Sequence, residues 1–310
     1  MSIHCPLCKN NKTLIYKKSK DVEYFSSKKL YSYFFCTLCE IIFLLNPPNQ
    51  ISKIYPKSYY SFGKNDKNLY KFFNLIKNYL DFKLFKNILK KLKKKEIHCL
   101  DVGGGSGWIS KNLILADNRV KKVTVVDIVT PRKKVINYDD KINFVKSKIE
   151  NFKTKKKYDF ILLLNLIEHV PNPDVILNKI RNLLSSEGVC LIKTPNFKSM
   201  NNFLFKNLYW GGLHCPRHFI IFNLKSFLLL CKKTKLKIIY YKFTQGLPQW
   251  HASIIGSLRE KKFLKKKIPI HKHISWIIIF PFAIIIDFFL LKWLHRSDQV
   301  FYLLKKNKSI

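Results

Sequence analysis

The stretch Leu100-Asp101-Val102-Gly103-Gly104-Gly105-Ser106-Gly107-Trp108 decides how this chain folds. It follows the short apolar run 96–102, and its glycines allow a tight turn that approaches a ligand with no Cβ in the way. A helix starting near Gly107 would point its first amides at that ligand. Outward from this point the pattern repeats. Apolar runs at 121–128, 142–146, 157–164 and 188–194 alternate with helix-length segments starting near Pro173 and Asn223, and two more runs follow at 236–243 and 299–306. That order predicts an α/β fold with a doubly wound, mainly parallel seven-stranded sheet.

The loop has an acidic partner. Asp127 closes the next strand, where its carboxylate can accept hydrogen bonds from ribose hydroxyls. A nicotinamide dinucleotide site shares this logic, but two details favour S-adenosylmethionine. Asp101 precedes the glycines, where it suits an amino group and repels a pyrophosphate. The glycines at 103, 105 and 107 also lack the later glycine of the dinucleotide fingerprint.

The N-terminal region carries a different chemistry. Cys5 and Cys8, then Cys36 and Cys39, form two Cys-x-x-Cys pairs, the spacing of a closed four-thiolate structural zinc site. Residues 1–45 are therefore expected to be a zinc ribbon. Residues 46–95 are read as a connector and an amphipathic helix, with apolar residues at Leu69, Phe73, Ile76, Leu80, Leu84, Ile88 and Leu92. Asn46-Pro-Pro-Asn49 lies ahead of the sheet and reads as a loop. Cys99, Cys190, Cys215 and Cys231 lack metal-site spacing and are expected in the core or in loops. The polar start, with no apolar leader, points to a reducing cytoplasm.

DVGGGSGW, VVDI, YDFILLLNLIEHVPNP, GVCLIKTPN and PRHFIIFNLKSFLLL occur in the order of the motifs of class I methyltransferases. Residues 96 to about 240, with the final strand at 299–306, resemble that family, and more narrowly the ubiquinone-type O-methyltransferase branch and its zinc-ribbon relatives, so that 96–310 is expected to be one methyltransferase domain. The resemblance implies a Rossmann-like methyltransferase domain with cofactor contacts at Asp101, Gly103, Gly105, Gly107 and Asp127, and with Asn165 beside the methionine end. Where the family often has an acidic residue for adenine, this chain has Lys148, so backbone near Ile149 is expected to take that place. Glu168 and His169, just past the fourth strand, are the catalytic candidates, with His169 as general base for a hydroxyl. Relatives that bind a divalent cation through Glu-x-x-Glu-His imply a second option. Here Asn165, Glu168 and His169, completed by His214 or His218, would hold such a cation.

Two features bear on partners. The formal charge is +39, from 58 Lys and Arg against 19 Asp and Glu, but lysines are spread along the chain rather than gathered into one stripe. Nucleic acid is thus the less favoured partner. Residues 274–294 are almost wholly apolar, inside an insertion at about 247–297, and are long enough to cross a bilayer. A single crossing would separate two strands of one sheet, so peripheral contact through 259–294 is expected, with Pro281 breaking the segment into a hairpin. The expected function is O-methylation of a small molecule or a lipid-linked glycan, at the inner face of the membrane. An RNA methyltransferase is the second reading, and a non-catalytic zinc-ribbon scaffold the third.

Overall fold

A computed structural model describes residues 3–48, 50, 54–55, 68–129, 140–264, 268–270, 273, 275–287 and 294–307. A first group of strands comprises β1 (Thr13–Ser19), β2 (Tyr31–Cys36) and β3 (Ile42–Leu44). Helix α1 (Asn68–Lys90) leads into β4 (Ile97–Val102), α2 (Trp108–Ala116), β5 (Val120–Asp127) and β6 (Ile142–Lys146). Then come β7 (Tyr158–Leu164), α3 (Pro173–Leu183), β8 (Leu184–Pro195), α4 (Met200–Phe205) and the two-residue β9 (Ile220–Ile221). The chain continues through α5 (Leu224–Lys233), β10 (Leu236–Thr244), α6 (Leu247–Glu260), α7 (Trp276–Ile284) and β11 (Gln299–Lys306).

The seven-stranded sheet has the order β10-β11-β8-β7-β4-β5-β6. Neighbours from β8 to β6 pair in parallel, whereas β11 runs against both β8 and β10. All seven expected strands are present; β8 begins earlier than the expected 188. The central strand β7 is buried along almost its whole length, which explains its unbroken apolar run. Strand order reverses at β4, flanked by β5 and β7, so the loops that follow these parallel strands share one end of the sheet, where ligands of open α/β sheets bind.

Helices cover both faces. On one side Phe85, Ile88, Leu89 and Leu92 pack with Leu113 and Ala116 of α2 against Cys99, Phe160 and Leu162. Of the expected stripe, Ile88 and Leu92 are buried and Leu84 packs against the same core, whereas Leu80 is exposed; Phe85 and Leu89 join them as core residues not on that stripe. Leu69, Phe73 and Ile76 fall outside the described side chains. On the other side Ile176, Leu177 and Ile180 of α3 and Phe227 and Leu230 of α5 join the N-terminal strands in one core. Cys99, Cys190, Cys215 and Cys231 are all buried.

Two features depart from expectation. The N-terminal sheet has the order β1-β2-β3-β9, and β3 pairs with β9 through Ile42–Ile221 and Phe43–Ile220. The cysteine-bearing module thus takes its last strand from the larger domain. Pro281 also lies inside α7 rather than ending it. Among the described residues no helix is long and apolar enough to cross a membrane. Asp287, the acid in this apolar stretch, is buried and accepts the Gly246 amide at 2.6 Å ahead of α6.

Phe160 is fully buried and meets Phe85 edge-on at 6.4 Å. Phe160→Ala is expected to lower unfolding free energy by about 3–5 kcal/mol in urea titrations.

Candidate active site

The loop after β4 is held by its own backbone. The Gly103 amide donates to Val126 O at 2.8 Å and the Gly107 amide to Gly104 O at 2.9 Å. Gly103, Gly105 and Gly107 have φ of 73°, 54° and 77°, a region that side chains disfavour. A Cβ on Gly107 would also meet the Phe144 ring at 2.7 Å. A Cβ on Gly105 would meet nothing within 4 Å, so open space lies over that residue. Gly107 caps α2 without a side-chain acceptor, which leaves the helix amides able to face a ligand.

Asp127 ties the loop to β5. Its Oδ2 accepts the Gly105 amide at 2.8 Å and its Oδ1 the Val129 amide at 3.0 Å. Each carboxylate oxygen keeps a further lone pair for a ligand hydroxyl. Asp101 lies one layer below, 2% exposed, where it accepts Ser110 Oγ at 2.9 Å and underlies Gly104. Burial pushes its carboxyl up to about 6. Its visible role is to brace the loop from beneath rather than to present a carboxylate at the open surface. Ile149 is buried in a single turn over 149–151, and Lys148 beside it is exposed.

Asn165 follows β7 with φ 54°, its amide held by Lys193 O at 2.8 Å. Its Oδ1 is buried with no partner among the described residues. Leu166 packs against Gly103, which brings this segment to the same mouth as the loop. Open space, an unsatisfied acceptor, helix amides and a carboxylate at a strand end fit a ligand with both an amino acid and a ribose part.

Beyond Asn165 the chain gathers three imidazoles. The His169 and His218 rings lie 4.6 Å apart, His214 and His218 5.1 Å, and His169 and His214 6.3 Å. His169 Nδ1 lies 2.9 Å from Arg217 O and 2.8 Å from the Tyr55 hydroxyl; His218 Nδ1 lies 2.7 Å from Gly212 O. A carbonyl only accepts, so both rings carry their proton on Nδ1 and keep a lone pair on Nε2. Burial holds both rings far below the usual imidazole range, His169 down to about 3, so they are neutral. Glu168 is fully buried; its Oε2 accepts Thr194 Oγ1 at 3.1 Å, and its Oε1, 4.0 Å from His218 Nε2, has no hydrogen bond among the described residues. Burial pushes this carboxyl up to about 8. Glu168, His169 and His218 each offer a ligand atom within 4.8 Å of the others. An orphaned carboxylate oxygen beside two neutral imidazoles, each oriented by a carbonyl, fits a divalent cation. His218 rather than His214 completes that group.

The cysteines form a second centre. Cys5 and Cys39 sulfurs lie 3.4 Å apart, Cys8 and Cys36 sulfurs 3.5 Å, and all four lie within 4.8 Å. Zn–S bonds of about 2.3 Å in a tetrahedron require S···S edges of roughly 3.8 Å, close to these separations. Each knuckle ends on a left-handed residue, Lys9 and Glu40, whose amides turn back to Cys5 O and Cys36 O.

Several residues of the site escaped the sequence reading. Asp21, Glu23, Tyr55, Tyr209 and Arg217 all touch the histidine cluster or its supports. The available signal was the scarcity of acids, since a buried acid in so basic a chain needs a specific partner.

The family described as Methyltransferase domain matches residues 76–241, more than half of the 310 residues. The chain belongs to that family. The chain is similar to the ubiquinone biosynthesis O-methyltransferase of Rickettsia bellii (strain OSU 85-389), 29% identical over 116 residues, covering 35% of this chain and 48% of the relative. The same protein of Pelagibacter ubique (strain HTCC1062) is 30% identical over 118 residues, covering 36% and 47%. The chain thus spans about half the length of the curated relatives it matches. Among solved structures, coclaurine N-methyltransferase bound to N-methylheliamine and S-adenosylhomocysteine aligns with a TM-score of 0.49 at 15% identity, covering 79% and 74%. A Burkholderia thailandensis 1,6-didemethyltoxoflavin N1-methyltransferase aligns at 0.46 and 14%, covering 74% and 79%. The sheet and its helices make this a Rossmann-like methyltransferase fold.

Gly105→Val places a branched side chain at φ 54° and into the open space. It is expected to weaken S-adenosylmethionine binding at least tenfold in equilibrium dialysis, at a cost of about 1–2 kcal/mol in stability.

Proposed function

We propose that the protein is an S-adenosylmethionine-dependent methyltransferase that methylates a hydroxyl of a small, lipid-soluble molecule. The observation that carries this reading is the Gly105–Asp127 contact, with the unsatisfied Asn165 Oδ1 in the segment that packs through Leu166 against Gly103. Gly103, Gly105 and Gly107 let the backbone approach the cofactor, Asp127 takes the ribose hydroxyls, and Asn165 takes the amino acid end. Ile149 backbone lies at the adenine edge. Bound there, the cofactor supplies an electrophilic methyl group, so the protein's work is to align the acceptor and manage its proton.

Glu168, His169 and His218 would hold a divalent cation, which lowers the pKa of a coordinated hydroxyl. This use of His169 fits its surroundings better than a role as general base, because burial depresses its basicity. Cys5, Cys8, Cys36 and Cys39 would hold a structural zinc ion. The reading as an O-methyltransferase draws support from the ubiquinone-biosynthesis relatives, with a lipid-linked glycan hydroxyl as the alternative acceptor. Transfer to RNA is the second reading, supported by the +39 charge alone.

Peripheral contact with the inner face of a membrane belongs to the same reading. On α7 and just after it, Ile277, Ile278, Phe282 and Ile285 are more than half exposed, and Phe263 nearby is 77% exposed beside exposed Lys261 and Lys262. Apolar side chains flanked by lysines suit an anionic lipid surface.

Incubation with methyl-labelled S-adenosylmethionine and polyprenylated catechols, lipid-linked glycans or transfer RNA tests the acceptor. Label is expected in the catechol pool; label in RNA alone would replace this reading with the second, and no transfer with no cofactor binding would leave a scaffold. Ile278→Asp with Phe282→Asp is expected to reduce flotation with phosphatidylglycerol vesicles several-fold. Unchanged flotation would remove α7 from membrane contact.

A further inference from the structure

The segment between β1 and β2 reaches into the larger domain. Asp21 and Glu23 lie on it, 2% and 4% exposed. Asp21 accepts the Tyr24 and Ser26 amides at 2.9 and 2.8 Å, and both of its oxygens face the Arg217 guanidinium, at 2.8 and 3.3 Å. That guanidinium is fully buried and lies 4.5 Å from the Tyr24 ring centre. Glu23 Oε1 accepts the Tyr209 hydroxyl at 2.6 Å, and Glu23 Oε2 faces His214 Nδ1 at 2.7 Å. The backbone of the segment is held from the other side, with Arg259 donating to Val22 O and the Ile270 amide to Glu23 O.

We propose that Glu23 is a positioning residue of the methyl-acceptor site, supplied by the cysteine-bearing module to the histidine cluster. The proposal rests on the methyl-transfer reading and deepens it. A carboxylate accepts, so Glu23 fixes the His214 proton on Nδ1 and sets the plane of the ring. His214 also sits at φ 39°, a conformation that a side chain keeps only where its surroundings enforce it. The carbonyls that orient the other two rings belong to the same short segment, Gly212 O for His218 and Arg217 O for His169. What fixes residues 211–218 therefore fixes all three imidazoles. Asp21 holds that segment at Arg217 and Glu23 holds it at His214. The module also docks through Glu40 to Lys198 at 2.8 Å and Lys225 at 2.6 Å, ion pairs that involve none of the three histidines. Docking alone thus has its own reporter.

Glu23→Gln, Glu23→Ala and Glu40→Gln separate the two roles in the full-length protein. S-adenosylhomocysteine affinity is expected to stay within about threefold in all three. Long-range 1H–15N imidazole spectra are expected to show the His214 Nδ1–H form in the native protein and its loss or shift in both Glu23 variants, but not in Glu40→Gln. With the acceptor found in the labelling screen, kcat is expected to fall about 10–100-fold in Glu23→Ala, as for removal of partners that orient a site's ligands. Glu23→Gln is expected to fall between, with KM changing less than kcat, and Glu40→Gln to keep its activity within twofold. Should Glu23→Ala fail to fold, Glu23→Gln carries the test. Native kcat and an unaltered His214 signal in Glu23→Gln would overturn the proposal, as would an equal loss of kcat in Glu40→Gln. Failure of the native protein to bind S-adenosylhomocysteine would instead sink the methyl-transfer reading, and the proposal with it.

Discussion

The bond from the Gly105 amide to Asp127 Oδ2 joins the ends of two adjacent parallel strands at the point where strand order reverses. Everything at the candidate site is arranged around it. Positive φ at three glycines bends the chain over the sheet, Asp101 supports the bend from below, and Leu166 closes against Gly103 from β7. The result is open space over Gly105, beside the Asp127 carboxylate. A side chain at Gly105 would occupy the opening, and one at Gly107 would displace Phe144.

The second constraint is the interlock between the cysteine module and the larger domain. β9 completes the module's sheet, and the segment after β1 returns the favour by holding residues 211–218. A buried ion pair such as Asp21–Arg217 adds little net stability, because desolvating both charges offsets most of their attraction. Its better-attested effect is to specify one arrangement, since breaking it leaves a charge stranded in the core. In this protein the paired Arg217 also offers its carbonyl to His169 Nδ1 at 2.9 Å, so the pair bears on the histidine cluster. The cysteine centre and the histidine cluster are thus parts of one structure.

Much of this was legible in the sequence. The seven strands announced themselves because parallel, doubly covered strands are continuous apolar runs, and β7 is the clearest case. The glycine loop and the cysteine pairs were legible because their chemistry depends on short, fixed spacing. Three things were not, or not fully. The α1 stripe was legible only in part, because a helix rich in Leu, Phe and Ile offers more than one apolar face: Ile88 and Leu92 are buried as expected, and Phe85 and Leu89 join them against Phe160. β9 was hidden because two residues carry no periodicity. Asp21 and Glu23 were hidden because their partners lie nearly two-thirds of the chain away, and no local pattern reports such a contact. Asp287, the acid in the apolar stretch near the C-terminus, caps a buried amide.

The central claim is that the opening between Gly105, Asp127 and Asn165 binds an adenosyl sulfonium. Isothermal titration of the native protein with S-adenosylmethionine, and separately with NAD, tests it most directly. Saturable one-to-one binding of S-adenosylmethionine and no detectable heat from NAD are expected. Binding of NAD, or of neither, would contradict it.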